Sequence, residues 1–257
     1  MVPLGTGVNV RTCLALFGAL ASLQCQSASR VLAPLPAGGT HVLFIGNSLT
    51  YVNDLPSTVA ALALASGDTI RVAQVAFADY ALVDHVTDGT AISAIRLGGW
   101  HYVVLQQGPS SVQVNRDSLI LMTQYFDTYI RSSGARTALF SVWPAISNYS
   151  TFPRAIESYQ LAAAAVNGVY LPVGAAWLAA WAKDSTLQLY SSDGLHPLEL
   201  GTYLAALVMY ERFTGKDARE MPAQAVVAGT TLAGVPAATV RLLQAAAHET
   251  NAQAATR

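Results

Sequence analysis

The sequence predicts an α/β protein in which a five-stranded parallel sheet lies between two layers of helices. From residue 41 onward, short apolar runs of strand length alternate with longer segments of helical period. Such alternation requires right-handed crossovers, which cover both faces of a parallel sheet with helices. The chain has 257 residues, of which 53% are hydrophobic and 11% charged, so it can bury the hydrophobic core of one large domain.

Five runs rich in β-branched and aromatic residues are the predicted strands: HVLFI (41–45), IRVAQVAF (70–77), YVVL (102–105), TALFSVW (137–143) and VYLPV (169–173). The predicted helices cover residues 56–65, 82–96, 116–131, 153–166 and 197–213. Pro56, Pro153 and Pro197 suit the first turn of a helix, where a missing N–H is no loss. The Ala-rich region after Gly229 is expected to form a closing helix. This order of elements predicts a flavodoxin-like three-layer α/β/α sandwich.

The N-terminal region has the pattern of a secretory signal peptide. Arg11 precedes the apolar run CLALFGALASL (13–23), and small residues follow in QSASR. We predict a signal peptide over residues 1–29 and a secreted or periplasmic mature protein. Two alternatives are a lipoprotein leader with a lipid anchor at Cys25, and a buried N-terminal helix. The apolar run is shorter than the roughly 20 residues of a membrane span, so none is expected in the mature chain.

Charge and composition exclude several classes of partner. The net charge is −1 and no run of Lys or Arg occurs, which argues against nucleic acid and anionic membrane surfaces. No His or Cys cluster has metal-ligand spacing, and no Gly-rich phosphate loop follows the first strand. We therefore expect no metal and no cofactor. Because Cys13 and Cys25 both lie in the leader, no disulfide is expected in the mature domain.

The segment GNSLT (46–50), directly after the first strand, contains a candidate nucleophile. Gly46 permits a tight turn, and Ser48 then lies at the start of the next helix, where its own N–H is unpaired. A serine so placed can attack a carbonyl while its N–H stabilises the oxyanion. The alternative is an ordinary turn with a helix-capping serine. The lipase-type G-x-S-x-G pattern is not satisfied, because Thr50 occupies its last position.

The segment SSDGLHP (191–197) supplies a candidate acid–base pair. Of five histidines, only His196 lies in a glycine-containing loop with a carboxylate nearby, whereas His85 is expected to be a surface or packing residue. Asp193 can accept from Nδ1–H of His196 and fix the tautomer, which leaves Nε2 to act as general base on Ser48. The alternative is that Asp193 caps the following helix and His196 is simply exposed.

GNSLT and DGLHP (193–197) resemble the first and last motif blocks of the SGNH/GDSL hydrolase superfamily, whose members are esterases, lipases, acetylesterases and thioesterases with a flavodoxin-like fold. The resemblance implies one hydrolase-like domain over residues 38–250, with Ser48 as nucleophile and Asp193 and His196 completing the triad. Asn47, which stands where the family often has Asp, is expected to lie among the substrate-binding residues.

The middle blocks depart from the family pattern. The family supplies a glycine N–H after strand two, where this chain has VAFADY (75–80), so Ala78 or Asp79 is expected to present the N–H. That replacement works if the turn needs no positive φ. The segment QQGPSS (106–111) is similar to the Q-G-E stretch of sialate-acetylesterase-like enzymes. Gln107, with Gln106 as the alternative, is therefore expected to complete an oxyanion hole with Ser48 and Ala78.

The combined patterns predict a secreted serine esterase that removes short acyl groups, including O-acetyl groups of carbohydrates, through an acyl-enzyme on Ser48. Trp143, just after the fourth strand, is expected to stack on a sugar ring, with a buried or rim aromatic as the alternative. Two other functions remain open. One is a catalytically weak or inactive glycan-binding protein of the same fold, and the other is an O-acyltransferase that uses the same triad.

Overall fold

The computed structural model describes residues 37–256, so the leader predicted over residues 1–29 lies outside the described residues and stays a prediction. The central sheet contains β1 Thr40–Gly46, β2 Ile70–Ala76, β3 Tyr102–Leu105, β4 Arg136–Phe140 and β5 Val169–Leu171. All neighbouring strands pair in parallel, in the order β2-β1-β3-β4-β5. The predicted five-stranded parallel sheet is confirmed.

The α-helices are α1 Ser48–Tyr51, α2 Leu55–Ala65, α3 Leu82–Asp88, α4 Thr90–Arg96, α5 Gln113–Ser132, α6 Phe152–Ala165, α7 Val173–Lys183, α8 Glu199–Thr214 and α9 Ala237–Ala255. Short 3₁₀ helices cover Val52–Asp54, Ile146–Thr151 and Ala218–Glu220, and a small hairpin pairs β6 Val226–Val227 with β7 Thr230–Thr231. None of the helices in residues 37–256 combines the length and apolarity needed to cross a bilayer.

The helices form two layers, one on each face of the sheet. The chain moves outward from β1 to β2 and then reverses direction to β3, so right-handed crossovers place α2 on one face and α5 and α6 on the other. Helix α2 packs against α8, and α5 packs against α6. Phe44, Leu105 and Leu139, on the three central strands, are fully buried between the layers. The predicted three-layer α/β/α sandwich is confirmed.

Three helical predictions differ from the structure. The helix predicted over residues 82–96 is two helices, because Gly89 has φ of +80° and ends α3 in a left-handed conformation. Helix α7 was not predicted, since it begins two residues after β5 and its apolar sequence looked like a continuation of the strand. Helix α8 begins at Glu199 and not at Pro197, because Pro197 pairs with Tyr190 in an isolated antiparallel bridge.

Candidate active site

The loops that follow β1, β2 and β3 line one open cleft of about 440 Å³. Ser48 belongs to the first loop, Asp79 to the second and Gln107 to the third. Leu195, the neighbour of His196 in the loop between α7 and α8, lies in the same lining. Ligands of parallel sheets bind at this carboxyl edge. The predicted nucleophile and the loop of the predicted general base therefore meet at one cleft, which we call the serine cleft.

Ser48 is the first residue of α1 and follows the N-cap residue Asn47. The side-chain oxygen of Asn47 accepts a hydrogen bond from the N–H of Leu49 at 3.1 Å, and not from that of Ser48. Within residues 37–256, neither the hydroxyl nor the backbone N–H of Ser48 has a hydrogen-bond partner. Unpaired N–H groups at a helix start attract anions. Ser48 thus presents an unpaired hydroxyl and an unpaired N–H at one point, as its predicted role requires.

The buried side chain of Gln106 stabilises the turn before Ser48 through hydrogen bonds. Its Oε1 accepts hydrogen bonds from the N–H of Asn47 and from the hydroxyl of Thr50, both at 2.8 Å. Its Nε2 donates to Asn47 Oδ1 at 2.9 Å and to the carbonyl of Gln107 at 2.7 Å. The side chain is fully buried. Both amide protons are used internally, so the alternative that Gln106 serves the oxyanion does not fit this structure.

The side chain of Gln107 lines the serine cleft, but its amide is occupied. Its Nε2 donates to Ser110 Oγ at 2.8 Å and to the carbonyl of Asn115 at 3.3 Å, while its Oε1 accepts from the N–H of Leu82 at 3.1 Å. The oxyanion role predicted for Gln107 therefore requires that one of these bonds be given up. Asn47, predicted to bind substrate, also uses its amide internally, because Nδ2 donates to the carbonyl of Tyr80 at 3.0 Å.

The turn after β2 corrects the expectation for Ala78. Ala78 is exposed and is absent from the lining of the serine cleft, whereas Asp79 is part of it. Asp79 has φ of +62°, the left-handed conformation that glycine adopts most easily. The turn thus does need a positive φ, and Asp is one of the few other residues that tolerate it. Of the two residues expected to present the N–H, the structure thus places Asp79 and not Ala78 in the lining of the cleft.

His85 is buried directly below the turn that carries Ser48. Its Nε2 lies 2.8 Å from the carbonyl oxygen of Gly46, and since a carbonyl only accepts, Nε2 carries the proton. Within the described chain its Nδ1 is buried without a partner. Burial lowers the pKa of His85, an effect partly offset by the hydrogen bond to Gly46 and by the charges of Asp88 and Asp84. Of the two roles expected for His85, at the surface or in packing, the structure shows packing. The spacing of the sequence did not predict its hydrogen bond to Gly46.

We expect the stability of the protein to decrease as the pH falls below about 6.5, partly because of His85. In the unfolded chain His85 is protonated at a pH near its usual pKa, whereas in the folded chain its pKa is lower and it is protonated only at lower pH. Between those two values the unfolded state binds more protons, so the free energy of unfolding falls with the pH. In His85→Gln, whose amide can still donate to Gly46, urea unfolding should depend less on pH over this window. An unchanged pH dependence would contradict the assignment.

Asp193 and His196 are joined as the sequence suggests. Nδ1 of His196 lies 2.6 Å from Oδ2 of Asp193, while Oδ1 accepts from the hydroxyl of Ser191 and from the N–H groups of Leu195 and His196 at 2.7–2.9 Å. The bonds from Ser191 and His196 hold the pKa of Asp193 well below its usual range. A carboxylate only accepts, so Nδ1 carries the proton and the Nε2 lone pair is left for a general base. Gly194, at φ of +69°, closes this tight loop.

The loop of the pair is tied to the sheet edge and to the segment after Ser48. Asn53 Nδ2 donates to the carbonyl of Pro197 at 2.9 Å, which links the helix start of Ser48 to the residue after His196. Trp143 Nε1 donates to the carbonyl of Leu195 at 2.9 Å. Ser48 and His196 themselves form no hydrogen bond in the described chain. Such catalytic contacts are often long without substrate and shorten when it binds.

Trp143 does not have the role expected from the sequence. Its side chain is 0% exposed and stacks on Trp177 with ring centroids 3.7 Å apart. A ring enclosed on its face cannot stack on a sugar. Its indole instead supports the loop of the Asp–His pair through Leu195. The prediction of a sugar platform at Trp143 is wrong, and the alternative of a buried aromatic is correct.

Groups that could ligate a metal are found away from the serine cleft. In residues 37–256, Glu211, Asp217 and His248 are the group whose ligand atoms lie within 4.8 Å of one another. Asp217 is already paired with Arg219, and His248 Nδ1 lies 3.0 Å from Glu211 Oε1. Among the described lining residues of the serine cleft, Asp79 is the only charged side chain. Among its described lining residues, the cleft therefore offers no cationic side chain to an anionic ligand.

Fold and site together define a class of protein: a flavodoxin-like sandwich with a partly buried helix-start serine after β1 and an Asp–His pair in the loop before α8. A DUF4886 family protein from Bacteroides uniformis matches with a TM-score of 0.70 and 20% identity, over 82% of this chain and 93% of that chain. A proposed SGNH hydrolase from Slackia heliotrinireducens matches with a TM-score of 0.58 and 23% identity, over 68% of this chain and 100% of that chain.

An acetylxylan esterase from Geobacillus stearothermophilus, solved as a catalytic mutant, matches with a TM-score of 0.50 and 13% identity, over 70% of this chain and 94% of that chain. No family model and no curated protein matches the chain. Identities this low establish the fold. The chain has the fold of the SGNH hydrolases, as the resemblance of its first and last motif blocks predicted.

Proposed function

We propose that this protein is a secreted serine esterase that removes short acyl groups, including O-acetyl groups of carbohydrates. The observation that carries the proposal is the Asp193–His196 bond of 2.6 Å, on a loop that borders the same cleft as the unpaired Ser48. The likeness of the fold to an acetylxylan esterase supports the choice of an acyl ester. The secreted location rests on the leader pattern in residues 1–29, and the mass of the mature N-terminus tests it.

The proposed reaction has two steps. In the first, His196 Nε2 takes the proton of Ser48 while Oγ of Ser48 forms a bond to the ester carbonyl carbon. The bond between that carbon and the alcohol oxygen then breaks, and the alcohol leaves with the proton from His196. In the second, water attacks the acyl-enzyme while His196 again accepts a proton, and the acid leaves as Ser48 regains its hydrogen. Asp193 stays ionised and orients the ring. No cofactor is required.

The oxyanion in this proposal is stabilised by the backbone N–H groups of Ser48 and Asp79. Both N–H groups lack hydrogen-bond partners in the described chain, and both residues line the serine cleft. Backbone donors at fixed positions cost no reorganisation during the reaction. A third donor from Gln107 would require that its amide leave Ser110 or the carbonyl of Asn115.

A second function, a glycan-binding protein with weak or no catalysis, is favoured by the occupied amide of Gln107. Losing one oxyanion donor typically costs about 100- to 1,000-fold in turnover. The third function, an O-acyltransferase, uses the same acyl-enzyme and differs only in its acceptor. Adding a sugar acceptor and measuring transfer against hydrolysis separates it from an esterase.

The test is covalent labelling with a fluorophosphonate probe, followed by mass mapping of the labelled peptide, together with turnover of nitrophenyl acetate. We expect the label on the peptide that contains Ser48, and neither label nor turnover in Ser48→Ala. Ser93→Ala is the matched control, because Ser93 is exposed on α4 and lines no cleft with Ser48. A label that persists in Ser48→Ala refutes the proposal, and a wild-type protein without label supports the binding function.

A further inference from the structure

A second open cleft, of about 460 Å³, borders the other side of the loop that carries the Asp–His pair. Ser191, Ser192 and Gly194 of this loop belong to its lining, whereas Leu195 of the same loop lines the serine cleft. We call the second cleft the aromatic groove. Its lining also includes the rings of Tyr149, Trp181 and Tyr190 and the polar side chains of Ser185 and Gln188. The groove and the serine cleft therefore border the same loop.

The aromatic groove is lined by three aromatic rings and by the aliphatic side chains of Ile146, Leu187 and Leu189. The rings of Trp181 and Tyr190 lie 5.7 Å apart at 30°, and the ring of Tyr149 lies 5.9 Å from Trp181. Tyr149 is 49% exposed and Ile146 is 58% exposed, although both are large apolar side chains. Adjoining exposed apolar groups in a concave site are typical of ligand-binding surfaces.

Two of the three rings, those of Trp181 and Tyr190, are held in place by hydrogen bonds to the backbone, and the ring of Tyr149 packs against Phe152 with centroids 5.2 Å apart. The Nε1 of Trp181 donates to the carbonyl of Leu187 at 3.0 Å, and the hydroxyl of Tyr190 donates to the carbonyl of Pro144 at 2.5 Å. The N–H of Ile146 donates to the carbonyl of Gly194 at 2.8 Å, which joins the groove wall to the loop of the pair. A surface fixed in this way loses little conformational entropy when a ligand binds.

The chemistry of the lining selects an uncharged, amphipathic ligand. No described residue of the lining carries a formal charge, so an ionic ligand would lose water without gaining a counter-charge. Beside the rings stand the neutral hydrogen-bonding groups of Ser185, Gln188 and Ser192. A sugar ring suits both the aromatic rings and the neutral polar groups, because its apolar faces can contact the rings and its hydroxyl groups can form hydrogen bonds with the polar side chains.

We propose that the aromatic groove binds a neutral sugar residue of the alcohol part of the substrate, while the acyl group is held at Ser48 in the serine cleft. The assignment rests on the proposed function for the location of the acyl group, but binding of the sugar needs no catalysis. In this proposal the exposed ring of Tyr149 contacts the sugar, and not Trp143, whose ring is buried.

The first experiment measures binding without turnover. Acetylated oligosaccharides of glucose, of xylose and of N-acetylglucosamine are titrated by calorimetry into Ser48→Ala and into Ser48→Ala/Tyr149→Ala. We expect at least one of the three to bind, with an affinity that falls about tenfold on loss of the ring. Tyr125→Ala is the matched control, because Tyr125 is also exposed, at 38%, and lines neither cleft. Absence of binding to all three, or equal binding with and without Tyr149, overturns the proposal.

The second experiment separates the groove from the catalytic site. In the protein that retains Ser48, Tyr149→Ala should raise the ratio of KM for the best acetylated oligosaccharide to KM for nitrophenyl acetate about tenfold. If nitrophenyl acetate is hydrolysed but Tyr149→Ala changes KM only for nitrophenyl decanoate, the groove binds an alkyl chain and the sugar assignment is wrong. If no ester is hydrolysed but the oligosaccharide still requires Tyr149 to bind, the esterase proposal fails and the groove assignment stands.

Discussion

Asp193→Asn is expected to lower kcat for ester hydrolysis by about 1,000- to 10,000-fold while leaving the loop in place. The asparagine oxygen can still accept the three bonds now made to Oδ1, from Ser191 Oγ and from the N–H groups of Leu195 and His196. Its amide nitrogen, however, would face Nδ1 of His196, which now lies 2.6 Å from Oδ2. An amide N–H donates, so Nδ1 would have to accept and the proton would move to Nε2. The ring would then have no lone pair for the proton of Ser48.

The measurement is kcat and KM for nitrophenyl acetate across the pH range in wild type, Asp193→Asn and Ser191→Ala. Ser191→Ala is the matched control, because it removes one bond to the carboxylate without changing the tautomer of His196. It should lower kcat far less. Denaturation curves check that both variants fold. Turnover by Asp193→Asn within tenfold of wild type would mean that this carboxylate does not set the state of the imidazole.

Local patterns predicted the parts of the site that depend on neighbouring residues. Asp193 and His196 are three apart in one turn, so their contact needs only the loop and Gly194. Ser48 lies two residues beyond the end of a strand, and its place at a helix start follows from that. The five strands were predictable for a similar reason, since each coincides with a short run rich in β-branched and aromatic residues between polar turns.

The parts that the sequence did not predict depend on contacts between distant segments. Gln106 follows β3 and forms hydrogen bonds with Asn47, which follows the adjacent strand β1. The direction of its side chain determines whether it supports the turn before Ser48 or is free to donate to an oxyanion. Whether Ala78 or Asp79 faces the cleft depends on one φ angle, which composition does not determine. Trp143 follows the fourth strand as expected, but Trp177 of an unpredicted helix covers its ring. Each of these outcomes requires the packed structure.

Gly46→Ala is expected to lower the free energy of unfolding by about 3 kcal/mol and to reduce catalysis with it. A methyl group added at Gly46 would lie 2.3 Å from Oε1 of Gln106 and 2.4 Å from Oγ1 of Thr50. Neither atom can move freely, because Oε1 of Gln106 accepts from both Asn47 and Thr50 inside a fully buried side chain. Displacing the amide leaves the N–H of Asn47 unpaired next to Ser48. Urea unfolding and kcat for nitrophenyl acetate measure the two effects.

Gly108→Ala provides the matched control for stability, because a methyl group there meets no atom within 4 Å. The free energy of unfolding of that variant should stay close to wild type. A double-mutant cycle with Gln106→Ala then isolates the cause: once the amide is gone, the methyl at Gly46 should cost at least about 0.5 kcal/mol less than in wild type. Strictly additive losses would show that the methyl group acts elsewhere, for instance on the carbonyl of Gly46 that accepts from His85. The comparison thus separates the two buried supports of the serine turn, the amide of Gln106 and the imidazole of His85.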